Sequence, residues 1–210
     1  MAPPCFYAQD KTIRPVLLCS QFDRNLQVLV LFLSRIDRKK GLDLLVRAFA
    51  RVLPQAPGTF LVIAGSGDAV YEREVRAQVE SSGIGANVKW LGFVTGVNRL
   101  QAYRECDIFA LTSYNENFGL VVVEAMYAGK PVLITTEVYL HETLASHGCA
   151  EICAPTLDAI EAGLKRLLLD PVLRKAMGAR GVDAAAREYG PDAVRSRLQA
   201  VYHKAFKSVH

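Results

Sequence analysis

Two carboxylates, Glu116 and Glu124, stand eight residues apart and carry the strongest chemical signal in this 210-residue chain. Glu116 falls in a polar loop with Ser113 and Asn115, just after an apolar run that ends near Leu111. Glu124 falls inside an apolar helix, between Val121-Val122-Val123 and Ala125-Met126. A carboxylate in such surroundings needs a partner, because an unpaired charge removed from water is costly. Ionised carboxylates accept pairs of hydrogen bonds from vicinal hydroxyls, as on a ribose or a hexose. Between the two, Gly119 permits close backbone approach where the helix begins. The first turn of that helix offers free N–H groups and the positive end of a dipole, which suits a pyrophosphate. The plainer alternative makes Glu116 a helix N-terminal charge, stabilising by about 0.3–1 kcal/mol, and Glu124 a solvated helix residue.

A second block, Leu33-Ser34-Arg35-Ile36-Asp37-Arg38-Lys39-Lys40-Gly41, supplies the opposite charge. It follows an apolar strand and opens a helix, so Arg35 and Lys40 fall at a ligand edge. Arginine binds a phosphate as a bidentate donor and lysine as a point charge. A solvated basic loop is the alternative. Several other chemistries lack their residues. There is no G-x-x-x-x-G-K-[ST], and no G-x-G-x-x-G opens the first helix, which argues against a P-loop enzyme and a dehydrogenase. No Asp-x-Asp occurs to bridge a diphosphate through a metal.

These residues have to be positioned by a scaffold, and the hydrophobic pattern supplies one. Apolar strands at Val28–Leu33, Phe60–Ala64, Val88–Leu91, Ile108–Leu111, Pro131–Thr135 and Ala150–Cys153 alternate with amphipathic segments. The helices are expected over Leu42–Leu53, Val70–Val79, Leu100–Cys106, Phe118–Ala128 and Tyr139–Ala145. Three more follow, capped by Thr156, by Asp170-Pro171 and by Gly190-Pro191. Such alternation predicts an α/β fold, a Rossmann-like doubly wound parallel sheet with C-terminal helices. Ligands of such sheets lie outside the carboxyl ends of the strands, where both charged blocks fall. Residues 1–27, with Pro3, Pro4 and Pro15, read as a linker or irregular segment, and residues 28–210 as one domain.

Composition narrows the class. With 25 basic and 21 acidic residues the net charge is +4, too mild for a nucleic-acid binder. The five cysteines are odd in number and include no C-x-x-C, so neither a disulfide framework nor a zinc site is indicated. They read as buried thiols of a cytoplasmic protein. The longest apolar run, Val28–Leu33, is far short of a membrane span. Peripheral association with the inner face of a membrane stays open.

The segment from Ser113 to Val132 resembles the Glu-x7-Glu motif of the retaining glycosyltransferases of family 4, which have the GT-B fold. Their pattern, Ser-x-x-Glu-x-Phe-Gly-Leu-x-x-x-Glu-Ala-x-x-x-Gly-x-Pro-Val, is matched at Ser113, Glu116, Phe118, Gly119, Leu120, Glu124, Ala125, Gly129, Pro131 and Val132. The basic block is similar to the family's Gly-Arg-Leu-Asp-x-x-Lys-Gly at Arg35, Asp37, Lys40 and Gly41, with Ser34 in place of the usual glycine. The resemblance implies that Glu116 touches the donor sugar and Glu124 the ribose hydroxyls. It implies that the amides of Phe118, Gly119 and Leu120 cradle the sugar and distal phosphate. Arg35 and Lys40 would take the diphosphate charge with no metal cofactor. The weaker Gly65-Ser66-Gly67 and Leu91-Gly92-Phe93-Val94 stretches fit the same family, with Gly67 in a ligand loop and Val94 making a backbone contact with the base.

The resemblance spans residues 28–206, the C-terminal, donor-binding half of a GT-B enzyme. It therefore implies a nucleotide-sugar partner, UDP- or GDP-linked, and an acceptor domain or subunit in trans. It also implies bacterial polysaccharide or lipid glycosylation as the setting. The isolated chain is expected to transfer little sugar, and its last helix, with Val201, Tyr202 and Phe206, to expose an apolar patch. One departure is Thr135-Thr136-Glu137-Val138-Tyr139-Leu140-His141-Glu142, where many members have a glycine-rich stretch. His141 and His147 have no nucleophile at a recognisable spacing and read as surface or packing residues. A non-catalytic nucleotide-sugar-binding subunit and a GT-B-type sugar-nucleotide epimerase remain as alternatives.

Overall fold

The computed structural model describes residues 27–207. The N-terminal segment, with Cys5 and Cys19, lies outside the described residues. Six parallel strands form one sheet: β1 (Val28–Leu33), β2 (Thr59–Ala64), β3 (Val88–Gly92), β4 (Ile108–Leu111), β5 (Val132–Thr135) and β6 (Ala150–Cys153). Their order is β3-β2-β1-β4-β5-β6, the doubly wound arrangement expected from the alternation of strands and helices. The order reverses between β1 and β4, where Val30 pairs with Ile108 and Leu31 with Phe109. β1 is apolar throughout because helices cover both faces of the sheet, and five of its six residues are buried.

The helices are α1 (Leu42–Val52), α2 (Ala69–Ser81), α3 (Gly96–Glu105), α4 (Leu120–Tyr127), α5 (His141–Ser146), α6 (Leu157–Leu169), α7 (Pro171–Tyr189) and α8 (Pro191–Lys207). α1 buries Leu42, Leu45, Val46 and Phe49 on its sheet-facing side. Each such side chain contributes about 1.5–3 kcal/mol by leaving water. α7 crosses α4 closely because Gly178 has no side chain, and a Cβ there would sit 2.2 Å from the Gly129 carbonyl oxygen.

Several boundaries shift from the sequence expectation, and two of the shifts fall at the cleft. α3 begins at Gly96 rather than Leu100, since its first turn is solvent-facing and carries no apolar periodicity. α4 begins at Leu120 rather than Phe118, since Gly119 is left-handed, with φ +77°, and ends the preceding loop. Among the described residues no helix is long and apolar enough to cross a membrane. On α8, Val201, Tyr202 and Phe206 are exposed, together with Val194 and Leu198.

Candidate functional site

A cleft of about 490 Å³ opens at the carboxyl edge of the sheet, over the reversal between β1 and β4. Its floor is the end of β1 and the loop after it, Leu33, Ser34, Arg35 and Lys40. A second wall is the loop from β4 to α4, Glu116 through Leu120. A third is the β3–α3 connection, Phe93, Val94 and Thr95. Residues more than 80 positions apart in sequence thus share one cavity, as ligands at a strand-order switch require.

The β1 and β4 loops are locked together by backbone. Asp37 caps a short 3-10 turn over Arg38–Lys40 by accepting from the Lys39 amide at 2.9 Å. Gly41 then turns left-handed at φ +62°, and a Cβ on it would lie 2.0 Å from the Thr112 carbonyl oxygen. The Thr112 hydroxyl donates to the Gly41 carbonyl at 2.7 Å, and the Tyr114 amide to that of Lys39 at 2.8 Å. Across this seam the Lys40 ammonium donates to Glu116 Oε2. Both side chains are largely buried, at 13% and 15% exposure, so their pairing is stronger than that of a surface pair. Glu116 is fixed from its other side, its amide donating to the Glu137 carbonyl at 3.0 Å and its own carbonyl accepting from the Tyr139 amide at 3.0 Å.

Arg35 is exposed at the cleft and makes no ion pair with another described residue. No side chain caps α4, whose N-terminal residue Leu120 and preceding Gly119 line the cleft. Cationic groups and the helix terminus therefore converge on one region, a favourable place for a diphosphate. Val94 lines the cleft and is buried, whereas Phe93 beside it is 75% exposed and presents a flat apolar face.

Three residues sit differently from where the sequence alone puts them. Gly67 does not line the cleft. Its missing side chain admits the Ile36 carbonyl, 2.3 Å from where a Cβ would lie, and the Asp68 amide bonds that carbonyl at 2.8 Å. Gly67 thus shapes the Arg35 loop from behind, and Gly65 and Ser66 are the members of that stretch that face the cavity. Ser113 lies in the loop after β4 but is fully buried and does not line the cleft. Glu124 is absent from the cleft wall. Its carboxylate accepts from Arg99 Nε at 3.1 Å, from Arg99 Nη2, and from the Tyr103 hydroxyl at 2.8 Å. Arg99 itself lines the cleft, so a guanidinium stands at the wall where the sequence led us to expect a carboxylate.

Arg99 is the site residue that sequence reasoning missed. The expected start of α3 at Leu100 left it in a loop. The available signal was its spacing of four from Tyr103, which puts both donors on one helix face. Glu124 does find the partner its apolar surroundings require.

Comparisons with known proteins identify the family. The model of the family described as glycosyl transferases group 1 matches residues 22–183. The D-inositol 3-phosphate glycosyltransferase of Segniliparus rotundus is 32% identical over 183 residues, 85% of this chain and 40% of that protein. The GDP-mannose-dependent monoacylated alpha-(1-6)-phosphatidylinositol monomannoside mannosyltransferase of Corynebacterium glutamicum is 30% identical over 172 residues, 79% of this chain and 44% of that protein. Among solved structures, sucrose-phosphate synthase from Thermosynechococcus elongatus superimposes with a TM-score of 0.74 at 26% identity, over 87% of this chain and 46% of that one. The chain therefore spans less than half the length of the curated relatives it matches. A match of the family model over most of the chain, on a fold shared with these enzymes, places this protein in the glycosyl transferases group 1 family.

Proposed function

We propose that this chain is the donor-binding half of a retaining glycosyltransferase, which transfers a hexose from a nucleotide-diphospho-sugar to an acceptor held largely by a second domain or subunit. The observation that carries the reading is the convergence of Arg35, Lys40, Glu116 and the N-terminus of α4 on a single cleft. In this reading the diphosphate lies between Arg35, Lys40 and the amides of Phe118, Gly119 and Leu120. The base rests on the Phe93–Val94 wall, and the sugar projects towards Glu116. Glu124 takes the ribose hydroxyls once Arg99 yields part of its hold.

Transfer in this scheme depends on stabilising the charge that develops on the departing diphosphate. Lys40 is well placed for that step, since a phosphate entering beside it replaces Glu116 as its partner. Glu116 is then free to accept from a sugar hydroxyl and orient the anomeric carbon. The positive charge is supplied by side chains and a helix terminus, so the scheme uses no metal. The name of the Corynebacterium relative supports a GDP-sugar as donor.

Calorimetry of the chain against UDP, GDP and ADP and their hexose conjugates tests donor binding. Transfer is then measured with and without an acceptor domain in trans. Diphosphate binding that weakens on substitution of Lys40, with transfer only in the presence of the second domain, is the expected result. Binding without transfer under every pairing would leave a nucleotide-sugar-binding subunit, and failure to bind any nucleoside diphosphate would remove the reading.

A further inference from the structure

A separate cleft of about 380 Å³ flanks the same β1 and β4 loops and is lined by Arg38, Lys39, Asp43, Tyr71 and Tyr114. It shares no lining residue with the donor cleft. Three of its side chains form one hydrogen-bonded group. Asp43, in the first turn of α1, accepts the Tyr71 hydroxyl on Oδ1 at 2.7 Å and the Tyr114 hydroxyl on Oδ2 at 3.2 Å. The Asp43 backbone is held too, its amide donating to the Tyr71 hydroxyl at 3.1 Å and its carbonyl accepting from Gln78 Nε2 at 2.9 Å. Tyr71 and Gln78 belong to α2, so a single aspartate joins α1, α2 and the loop from β4 to α4. Tyr71 is buried, with the Arg38 guanidinium 5.1 Å from its ring centre.

Burial and the neighbouring Asp43 carboxylate push the Tyr71 and Tyr114 phenols above their ordinary range, so both stay protonated and donate. Tyr114 stands two residues before Glu116, and Asp43 three residues after Lys40. The Tyr114–Asp43 bond therefore spans the same seam as the Lys40–Glu116 ion pair. In the free chain the two ties act in parallel, alongside the backbone bonds of the seam. A diphosphate that takes Lys40 from Glu116 removes one of them. Among the described residues the Tyr114–Asp43 bond is then the remaining tie between side chains of the two loops. Its contribution is largest with ligand bound, and a contact worth more in the bound state raises affinity.

We propose that Tyr114 and Asp43 are positioning residues of the donor site, whose hydrogen bond holds the β4 loop against the β1 loop while Lys40 exchanges Glu116 for a phosphate. What enters the cleft rests on the donor reading above. Neither residue lines that cleft, so both act through Lys40 and Glu116.

Calorimetry of the full chain with GDP and UDP, beside guanosine and uridine, tests the proposal. Tyr114→Phe deletes the hydroxyl and keeps the ring. It should weaken both diphosphates about 3–10-fold, the loss of one partly exposed hydrogen bond to a carboxylate, and leave both nucleosides within about twofold. A merely structural role would weaken all four alike. Asp43→Asn should weaken the diphosphates at least as much. Tyr114→Phe added to it should weaken them no further, because the two side chains make one bond. Urea unfolding without ligand gives an independent measurement. Tyr114→Phe and Lys40→Met together should lower the midpoint by more than the sum of the two single shifts, as parallel ties require. The proposal is overturned if Tyr114→Phe binds diphosphates as the unsubstituted chain does, if the nucleosides weaken equally, or if the midpoint shifts only add. Failure of the donor reading shows separately, as an unsubstituted chain that binds neither GDP nor UDP, and the unfolding cycle then decides whether the tie acts in parallel with the ion pair.

Discussion

Alanine at three left-handed glycines separates the contributions that hold the site together. Gly83 has φ +68° and nothing within 4 Å of the position an added methyl would take, so Gly83→Ala adds backbone strain alone, about 1 kcal/mol. Gly119 has φ +77° and would bring a Cβ to 3.3 Å from Glu116 Cγ and 3.4 Å from Val122 and Val138, contacts that side chains can relax. Gly119→Ala should cost about 1–2 kcal/mol. At Gly41 the Cβ would meet the Thr112 carbonyl oxygen at 2.0 Å and its carbon at 2.9 Å, and both belong to backbone. The β1 and β4 loops must then separate, which weakens the Thr112–Gly41 hydrogen bond as well. Overpacking of about 1–3 kcal/mol and a hydrogen bond of about 1 kcal/mol add to the strain, giving about 3–5 kcal/mol in total.

Urea unfolding of the 210-residue chain, followed by circular dichroism and by the fluorescence of Trp90, its one tryptophan, measures all three. The expected order of loss is Gly41→Ala, then Gly119→Ala, then Gly83→Ala. Because Gly41 carries Lys40 to Glu116, its variant should also bind nucleoside diphosphates more weakly than the Gly83 variant does. A Gly41→Ala protein as stable as Gly83→Ala would refute the idea that the two loops are locked by backbone contact.

Other outcomes follow from the same geometry. Lys40→Met should weaken nucleoside diphosphate binding by about 10–100-fold, the loss of one charge-assisted hydrogen bond, and leave the uncharged nucleoside unaffected in calorimetry. Arg99→Ala leaves the Glu124 carboxylate, 26% exposed, with only the Tyr103 hydroxyl among its present partners. It should cost about 1–2 kcal/mol in thermal unfolding, and Glu124→Gln added to it should recover part of that loss. Burial, with Glu151 nearby, pushes the Cys153 thiol up to about 12. Its thiolate fraction at pH 8 is then about 10⁻⁴, so a thiol reagent should label it only on unfolding. The Arg197 and His147 hydrogen bonds hold the Glu188 carboxyl below its ordinary range. The stability this contributes is present above the unfolded carboxyl value, about 4.3, and is lost as pH falls through the lower folded value. Glu188→Gln should therefore flatten the fall in melting temperature between about pH 5 and pH 3.

The parallel sheet was legible in the sequence because its strands are buried on both faces and read as uninterrupted apolar runs. Val28–Leu33 and Ile108–Leu111 need no tertiary knowledge to be recognised. The anchors Arg35, Lys40, Glu116 and Gly119 were legible for a related reason. In this topology residues that follow strands on the carboxyl edge share one face of the molecule, so chain position alone brings them near a common ligand. What the sequence left undecided depends on how crossover elements lie beside one another. The pairing of Arg99 with Glu124 needs α3 to begin four residues before its apolar pattern does, and to bring Arg99 and Tyr103 within reach of α4. The exchange of Gly67 for Gly65 on the cleft wall turns on which carbonyl, that of Ile36 or that of Ser34, each glycine admits. The Tyr114 hydroxyl reaches Asp43 because hydrogen bonds join loops that no local pattern connects. Local propensity and burial specify which elements form, whereas contacts between loops a few ångströms apart are settled only when those elements pack.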